Sequence, residues 1–311
     1  MRYPAISPNG ETIAFTYKGD IYTVPANGGK ATQLTTHPPH DTRPIWSPDG
    51  SKIAFASDRN GNFDIFIMDM EGGSPKQLTT HSANEYPETF SDAKHILYSA
   101  AIQQDAKDSH PSGQFPQIYR IGINGGRPEL YSSLAMESLA LNKKGDKLLY
   151  QDKKGYEDPW RKHHQSSITR DIWLCTLDRE HSFQKITSFK GEDRNPVWAT
   201  DGSSFYYLSE EKGSFNIFKN DLTGRNSRQI TNHTMHPVRF LTSDNNGNLC
   251  YGYDGEIYTV KEGTQPKKVD VQIISDKVEN DLIHQLKASG ATDTRSFLMG
   301  KEVAFIVRGD V

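Results

Sequence analysis

Three histidines recur at one phase of this chain: His37, His81 and His233 each follow a strand end that reads leucine or isoleucine, then threonine. If the segments that carry them surround a common axis, imidazoles from separate segments ring one mouth of a channel. They could there share a divalent metal. The same place after Lys185-Ile186-Thr187 reads Phe189-Lys190, and no fixed set of histidine, glutamate and glutamine completes a site. The reading is therefore three channel-mouth candidates with no metal and no cofactor, the plain alternative being residues that cap or hydrogen-bond the repeat itself. A second group is Tyr156-Glu157-Asp158-Pro159-Trp160-Arg161-Lys162-His163-His164, an aromatic and basic cluster outside any strand pattern. Trp160, Arg161, His163 and His164 are candidates for contact with a substrate or partner, since exposed tryptophan beside arginine is a frequent anchor; otherwise Trp160 pins its own loop. No residue is a catalytic candidate. No G-x-S-x-G occurs, nor H-E-x-x-H or a phosphate-binding G-x-x-x-x-G-K-[ST]. Glu210-Glu211 reads as a solvated turn. Cys175 and Cys250 form no C-x-x-C, which leaves open only a single long-range disulfide.

The elements that would position these residues repeat. Ser7-Pro8-Asn9-Gly10 returns as Ser47-Pro48-Asp49-Gly50 and decays to Asn142-Lys143-Lys144-Gly145, Ala199-Thr200-Asp201-Gly202 and Asp244-Asn245-Asn246-Gly247. Proline fixes φ, Asp or Asn tolerates the left-handed region and glycine takes positive φ, so each is a turn. An apolar strand follows each (Ile13-Ala14-Phe15, Ile53-Ala54-Phe55, Leu148-Leu149-Tyr150), then a strand headed by a polar residue (Asp20-Ile21-Tyr22, Asp64-Ile65-Phe66, Asp171-Ile172-Trp173), then a turn such as Asn27-Gly28-Gly29, then Gln33-Leu34-Thr35 or Gln77-Leu78-Thr79. Arg43-Pro44-Ile45-Trp46 and Asn195-Pro196-Val197-Trp198 supply the strand before the turn. Four short strands at a period of about 40 to 50 residues predict a propeller blade. A sandwich would not repeat a fixed pattern four strands at a time. Phe15, Phe55, Tyr98 and Tyr150 then fall in blade core, and Trp46 and Trp198 between blades. Insertions at Ala100–Pro116 and Asp152–Thr169 share one phase and so one face of the disc.

The expected fold is all-β: a six-bladed β-propeller of four-stranded blades over residues 1–271, then at 272–311 a linker and the truncated first strands of a following propeller repeat. Gly300–Val311 repeats the pattern of Gly10–Ile21 and stops inside a hairpin, which predicts that the polypeptide continues. The net charge of −3 and pI near 6.4 exclude the basic footprint of a nucleic-acid binder. No apolar run approaches the roughly 20 residues of a membrane-spanning helix.

Pro44-Ile45-Trp46-Ser47-Pro48-Asp49-Gly50 with Asp64-Ile65-Phe66 resembles the WD40-like repeat of the TolB family. Asp158-Pro159-Trp160-Arg161-Lys162-His163-His164 with Thr169-Arg170-Asp171-Ile172-Trp173, together with Arg2–Pro8 and Tyr17–Tyr22, resembles the N-terminal propeller of tricorn proteases, and Gly300–Val311 resembles the start of their second propeller. That resemblance covers essentially the whole chain. It implies a following seven-bladed propeller and a PDZ domain between catalytic segments with a serine nucleophile activated by histidine. This chain would then be non-catalytic, filtering or channelling oligopeptides or unfolded segments for the downstream domains of a serine peptidase, a possible homo-oligomer when full-length. TolB-like proteins imply a periplasmic or secreted home, archaeal tricorn a cytoplasmic one. The alternatives are a TolB-like periplasmic protein-binding scaffold and, more distantly, a metal-dependent polysaccharide lyase that resembles TolB-like pectate-degrading enzymes in using a histidine cluster.

Overall fold

In this computed structural model, residues 1–102, 115–155, 165–274, 289–296 and 303–307 are described. Met1–Ile273 forms one compact unit and Ile274–Val311 another. The first is a six-bladed propeller. Blade 1 is β1 (Arg2–Ile6), β2 (Thr12–Tyr17), β3 (Asp20–Pro25) and β4 (Gly29–Gln33); blade 2 is β5 (Asp41–Trp46), β6 (Lys52–Ser57), β7 (Asp64–Asp69) and β8 (Gly72–Gln77). Blade 3 is β9 (Glu85–Asp92), β10 (His95–Ala100), β11 (Gln117–Gly122) and β12 (Glu129–Ser132); blade 4 is β13 (Met136–Leu141), β14 (Lys147–Asp152), β15 (Ile172–Thr176) and β16 (Ser182–Lys185). Blade 5 is β17 (Asp193–Trp198), β18 (Ser204–Ser209), β19 (Asn216–Asp221) and β20 (Arg228–Gln229); blade 6 is β21 (Arg239–Ser243), β22 (Asn248–Tyr253), β23 (Glu256–Lys261) and β24 (Lys267–Lys268). Within each blade the strands pair in chain order as an antiparallel meander, and none of these twenty-four strands is exchanged between blades. Among the described residues no helix is long and apolar enough to cross a membrane.

The second strand of every blade is an apolar run without alternation because both of its faces are covered. Successive side chains serve opposite seams. Ala14 packs into the blade 1–2 seam with Ile53 and Phe55. Its neighbours Ile13 and Phe15 turn the other way, to Cys250 and Ile257 of blade 6. Ala54 meets Ile96 and Tyr98, Leu97 meets Leu148 and Tyr150, Leu149 meets Phe205 and Tyr207, and Tyr206 meets Leu249 and Tyr251. These six clusters are the six seams of a closed ring. Phe15, Phe55 and Tyr98 are fully buried and Tyr150 nearly so. Trp46 and Trp198 do bridge blades: each indole N–H donates to a main-chain oxygen of the preceding blade, Ala5 and Ala140, both at 2.8 Å.

The repeated Asp-Ile and Gln-x-Thr pairs form one device. The Thr35 hydroxyl accepts from the Ile21 amide at 2.9 Å and donates to Asp20 Oδ1, while Gln33 donates to Asp20 Oδ2 at 3.0 Å. Thr79 does the same for the Ile65 amide and Gln77 for Asp64, both at 2.9 Å. Thr231 serves Ile217 and Asn216 in blade 5, both at 3.0 Å. This satisfies the edge of the third strand where the outer strand leaves it.

The blade 6–1 seam lacks a covalent connection and is closed twice. On the inner side the Ile6 amide donates to Thr242 Oγ1 at 3.2 Å and the Met1 ammonium to the Gly255 carbonyl at 2.7 Å. On the outer side β25 (Val271–Ile273) adds to blade 1 as a fifth strand, parallel to β4. Gly29 N–H donates to Asp270 O at 2.7 Å, and a Cβ on Gly28, whose φ is +94°, would stand 2.9 Å from that same oxygen. Gly28→Ala is therefore expected to loosen the outer closure and to cost about 2 kcal/mol, read as a lower midpoint in urea unfolding; an unchanged midpoint would show that β25 contributes nothing to the ring. Cys175 and Cys250 are both free and buried, so the long-range disulfide does not form. In the second unit, β26 (Ala291–Ser296) and β27 (Val303–Val307) pair antiparallel, which fits the first strands of a further repeat.

Candidate functional site: the axial channel

The first strands of the blades, β1, β5, β9, β13, β17 and β21, stand around the axis and wall a cavity of about 1820 Å³. Each pairs with its second strand through an irregular register. In five of them the extra residue has left-handed φ without being glycine: Tyr3 (51°), Arg43 (54°), Ser138 (53°), Asn195 (48°) and Phe240 (59°). Blade 3 differs, and inserts Glu88 at that level. A bulge re-aims the side chain it carries, and left-handed backbone in a non-glycine residue is costly enough to need compensation. All five residues and Glu88 line the cavity.

The girdle has two chemical halves. Tyr3 and Phe240 pack at 4.4 Å between ring centroids, and the Arg43 guanidinium lies 4.1 Å over Tyr86 and 5.4 Å from Tyr3. Across the bore, the Asn195 amide donates to Ser138 Oγ at 3.0 Å and the Ser138 main-chain N–H to Glu88 Oε2 at 2.8 Å. Behind this half runs an ion network. Glu137 takes Lys153 at 2.8 Å, Gln151 at 3.0 Å and Arg170 at 3.1 Å. Burial would raise its carboxyl, yet Arg170 and Lys153 hold it at about 2. Glu192 bridges Arg170 at 2.5 Å and Arg194 at 2.6 Å.

Three other carboxyls are pushed the opposite way. Desolvation raises Glu88, Glu85 and Asp193 each to about 7, the last two with almost no exposure. Glu85 is further raised by its neighbour Asp64, and Asp193 by Asp171. A raised folded-state value means the native chain holds a proton that the unfolded chain has lost. The stability these groups confer is thus complete below the ordinary carboxyl range and disappears as pH climbs towards 7. Glu137 works in reverse and loses its contribution below about pH 4. We expect the melting temperature to peak near pH 5 and to fall by about 5 °C between there and pH 8. A curve flat or rising over that interval would contradict these protonation states.

The sequence candidates divide. His81 is among the residues that line the cavity; it is exposed, and its Nδ1 accepts from the Ala83 amide at 3.0 Å. His37 is exposed in the β4–β5 connection. His233 is half-buried against blade 6, stacked on Tyr253 at 3.9 Å with Nε2 at 2.9 Å from the Tyr251 hydroxyl, and burial lowers its pKa. Among the described residues no three His, Cys, Asp or Glu side chains form a group able to hold a metal ion. Trp160, Arg161, His163 and His164 lie outside the described residues. The insertion that carries them is anchored at its base, where Lys154 bonds Asp171 and the Thr169 carbonyl. Its neighbour Lys153 lines the cavity, as do Ala101 and Pro116 at the base of the other insertion. The girdle itself went unread in the sequence. Its one signal is the residue before proline in Tyr3-Pro4, Arg43-Pro44 and Asn195-Pro196, where local rules favour extended backbone instead.

A closed ring of six meandering blades around an open axis defines a β-propeller domain. The chain belongs to the family of tricorn protease N-terminal beta propeller domains, whose model matches residues 1–266. It is 24% identical over 295 residues to tricorn protease homolog 1 of Streptomyces coelicolor, covering 90% of this chain and 25% of that protein. The crystal structure of the tricorn protease superposes with a TM-score of 0.74 at 19% identity, over 88% of this chain and 26% of that one. A shorter match, 40% identity over 70 residues, joins 22% of this chain to 16% of a TolB homolog of Chlorobium luteolum. The chain spans about a quarter of the length of the tricorn relatives it matches.

Proposed function

We propose that this propeller is the non-catalytic substrate-handling module of a tricorn-like serine peptidase, admitting or releasing extended peptide segments along its axial channel. The reading rests on family membership and on one observation: five of six blades place a backbone-strained, chemically mixed side chain at one level of an open bore. Packing alone has no use for such residues, whereas contact with a passing chain does. The catalytic groups belong to other parts of the parent polypeptide. The test is made on that polypeptide. Ser138→Cys, modified with a bulky maleimide, is expected to slow hydrolysis of long peptides about tenfold and to leave labelling by a serine-reactive phosphonate unchanged; the same polypeptide with Ser138 intact, treated alike, corrects for its other thiols, Cys175 and Cys250 of this propeller being buried. Equal hydrolysis before and after modification would end the channel reading. The TolB match favours one other account, a protein-binding scaffold, which predicts no phosphonate label and a protein partner that co-purifies.

A further inference from the structure

Three cations of the channel wall, Lys153, Arg170 and Arg194, are neutralised in place. Lys153 and Arg170 are held by Glu137, and Arg194 by Glu192. Arg43 is different. Its guanidinium lies between the faces of Tyr86 and Tyr3, and among the described residues it makes no ion pair and no hydrogen bond. It is only partly covered, and it lines the bore. Its backbone is left-handed, φ 54°, in the bulge that turns it to the axis. Aromatic faces stabilise a cation but leave the in-plane N–H donors of guanidinium unused. Those donors match a carboxylate fork. The carboxyls that act on it, Glu88 and Glu137, do so through space and leave its N–H fork open, Glu137 being taken up by Lys153 and Arg170.

We infer that Arg43, stacked between Tyr3 and Tyr86, is a carboxylate-binding subsite of the channel and that it selects extended peptides bearing an acidic side chain. This rests on the peptide-handling reading above. Asn195, three blades from Arg43 and so across the ring, and the neighbouring Ser138 offer an amide and a hydroxyl to the main chain of the same segment. Phe240 and Tyr3 give its side chains an apolar wall. A carboxylate on the Arg43 fork leaves the stacked rings in place, so binding needs no rearrangement of the girdle. The carboxylate could also be a chain terminus, and the two sources are separable.

The probe is an extended peptide with a central glutamate, an amidated C-terminus and an uncharged fluorophore, titrated with this chain by fluorescence anisotropy. Its glutamine counterpart is expected to bind about tenfold more weakly. Arg43→Gln should erase that difference, so that the glutamate and glutamine peptides bind it alike. If Arg43→Gln does not fold, the wild-type comparison at rising salt carries the test, because a real carboxylate preference shrinks as salt rises. Equal affinity of the two peptides for the wild type overturns the subsite. So does a glutamine peptide with a free C-terminus that binds as tightly as the glutamate amide, since the terminus would then be the ligand. If neither peptide binds at all, it is the peptide-handling reading that fails.

Discussion

Gly224→Ala is expected to destabilise the propeller by about 3 kcal/mol, lowering its melting temperature by about 6 °C. Gly224 turns the chain between β19 and β20 with φ +76°, a conformation that alanine resists. More important is what stands opposite. A Cβ there would lie 2.2 Å from the main-chain oxygen of Ile186, in the neighbouring blade. A backbone carbonyl cannot swing aside as a lysine tip can. The Ile186 amide is itself bonded to Ile172, so displacement breaks a ladder in blade 4 as well. The loss is read by circular dichroism melting. Gly145→Ala is the control: its φ of +69° is equally left-handed, but nothing lies within 4 Å. The difference between the two variants isolates the contact between blades. If both lose the same stability, backbone strain alone explains the effect and the close approach is irrelevant.

The second large effect concerns the ions behind the channel. Glu192 is 2% exposed and holds two arginines, themselves 5% and 7% exposed. Burial would raise its carboxyl, but Arg194 and Arg170 hold it below the ordinary range. Removing one member of such a group leaves charge buried without compensation, at a cost of about 3 to 5 kcal/mol. Glu192→Ala should therefore approach the total stability of a typical domain and show as a collapse of the urea midpoint. Arg170 keeps Glu137 at 3.1 Å, and Arg194 keeps its place 5.0 Å over Phe215. Adding Arg194→Met to Glu192→Ala should recover part of the loss, because removing both members of a buried ion pair costs less than removing one. A single variant within about 1 kcal/mol of wild type, or a double variant additive with its parts, would mean that water reaches this network.

The architecture was legible because its cause is periodic. A turn of fixed chemistry, an apolar strand and a polar-headed strand recur at each blade, and the two-sided burial of Ile53-Ala54-Phe55 shows as a run without alternation. The phase of Trp46 and Trp198 likewise pointed between blades. The outer closure was not legible. Val271-Gln272-Ile273 joins β4 by main-chain bonds, which any three extended residues can make, and it has no counterpart in the other blades. The girdle escaped for the opposite reason: its positions are in phase but differ in type, Tyr, Arg, Ser, Asn and Phe, so no residue repeats. In the three histidines it was phase that repeated while surroundings did not. His233 stacks on Tyr253, in blade 6, whereas His81 and His37 remain at the surface.

Apart from the short β25, which follows blade 6 and pairs on the rim of blade 1, no strand among the described residues passes between those two blades, and that gives the ring the mechanics of a split washer. Five seams are tied by the polypeptide itself; the sixth is held by side-chain packing, a few hydrogen bonds and the three-residue clasp of β25 on the rim. An occupant wider than the bore loads all six seams alike, yet only one can part without stretching the chain. Radial strain is therefore relieved there, and the clasp on the rim sets how far the washer springs.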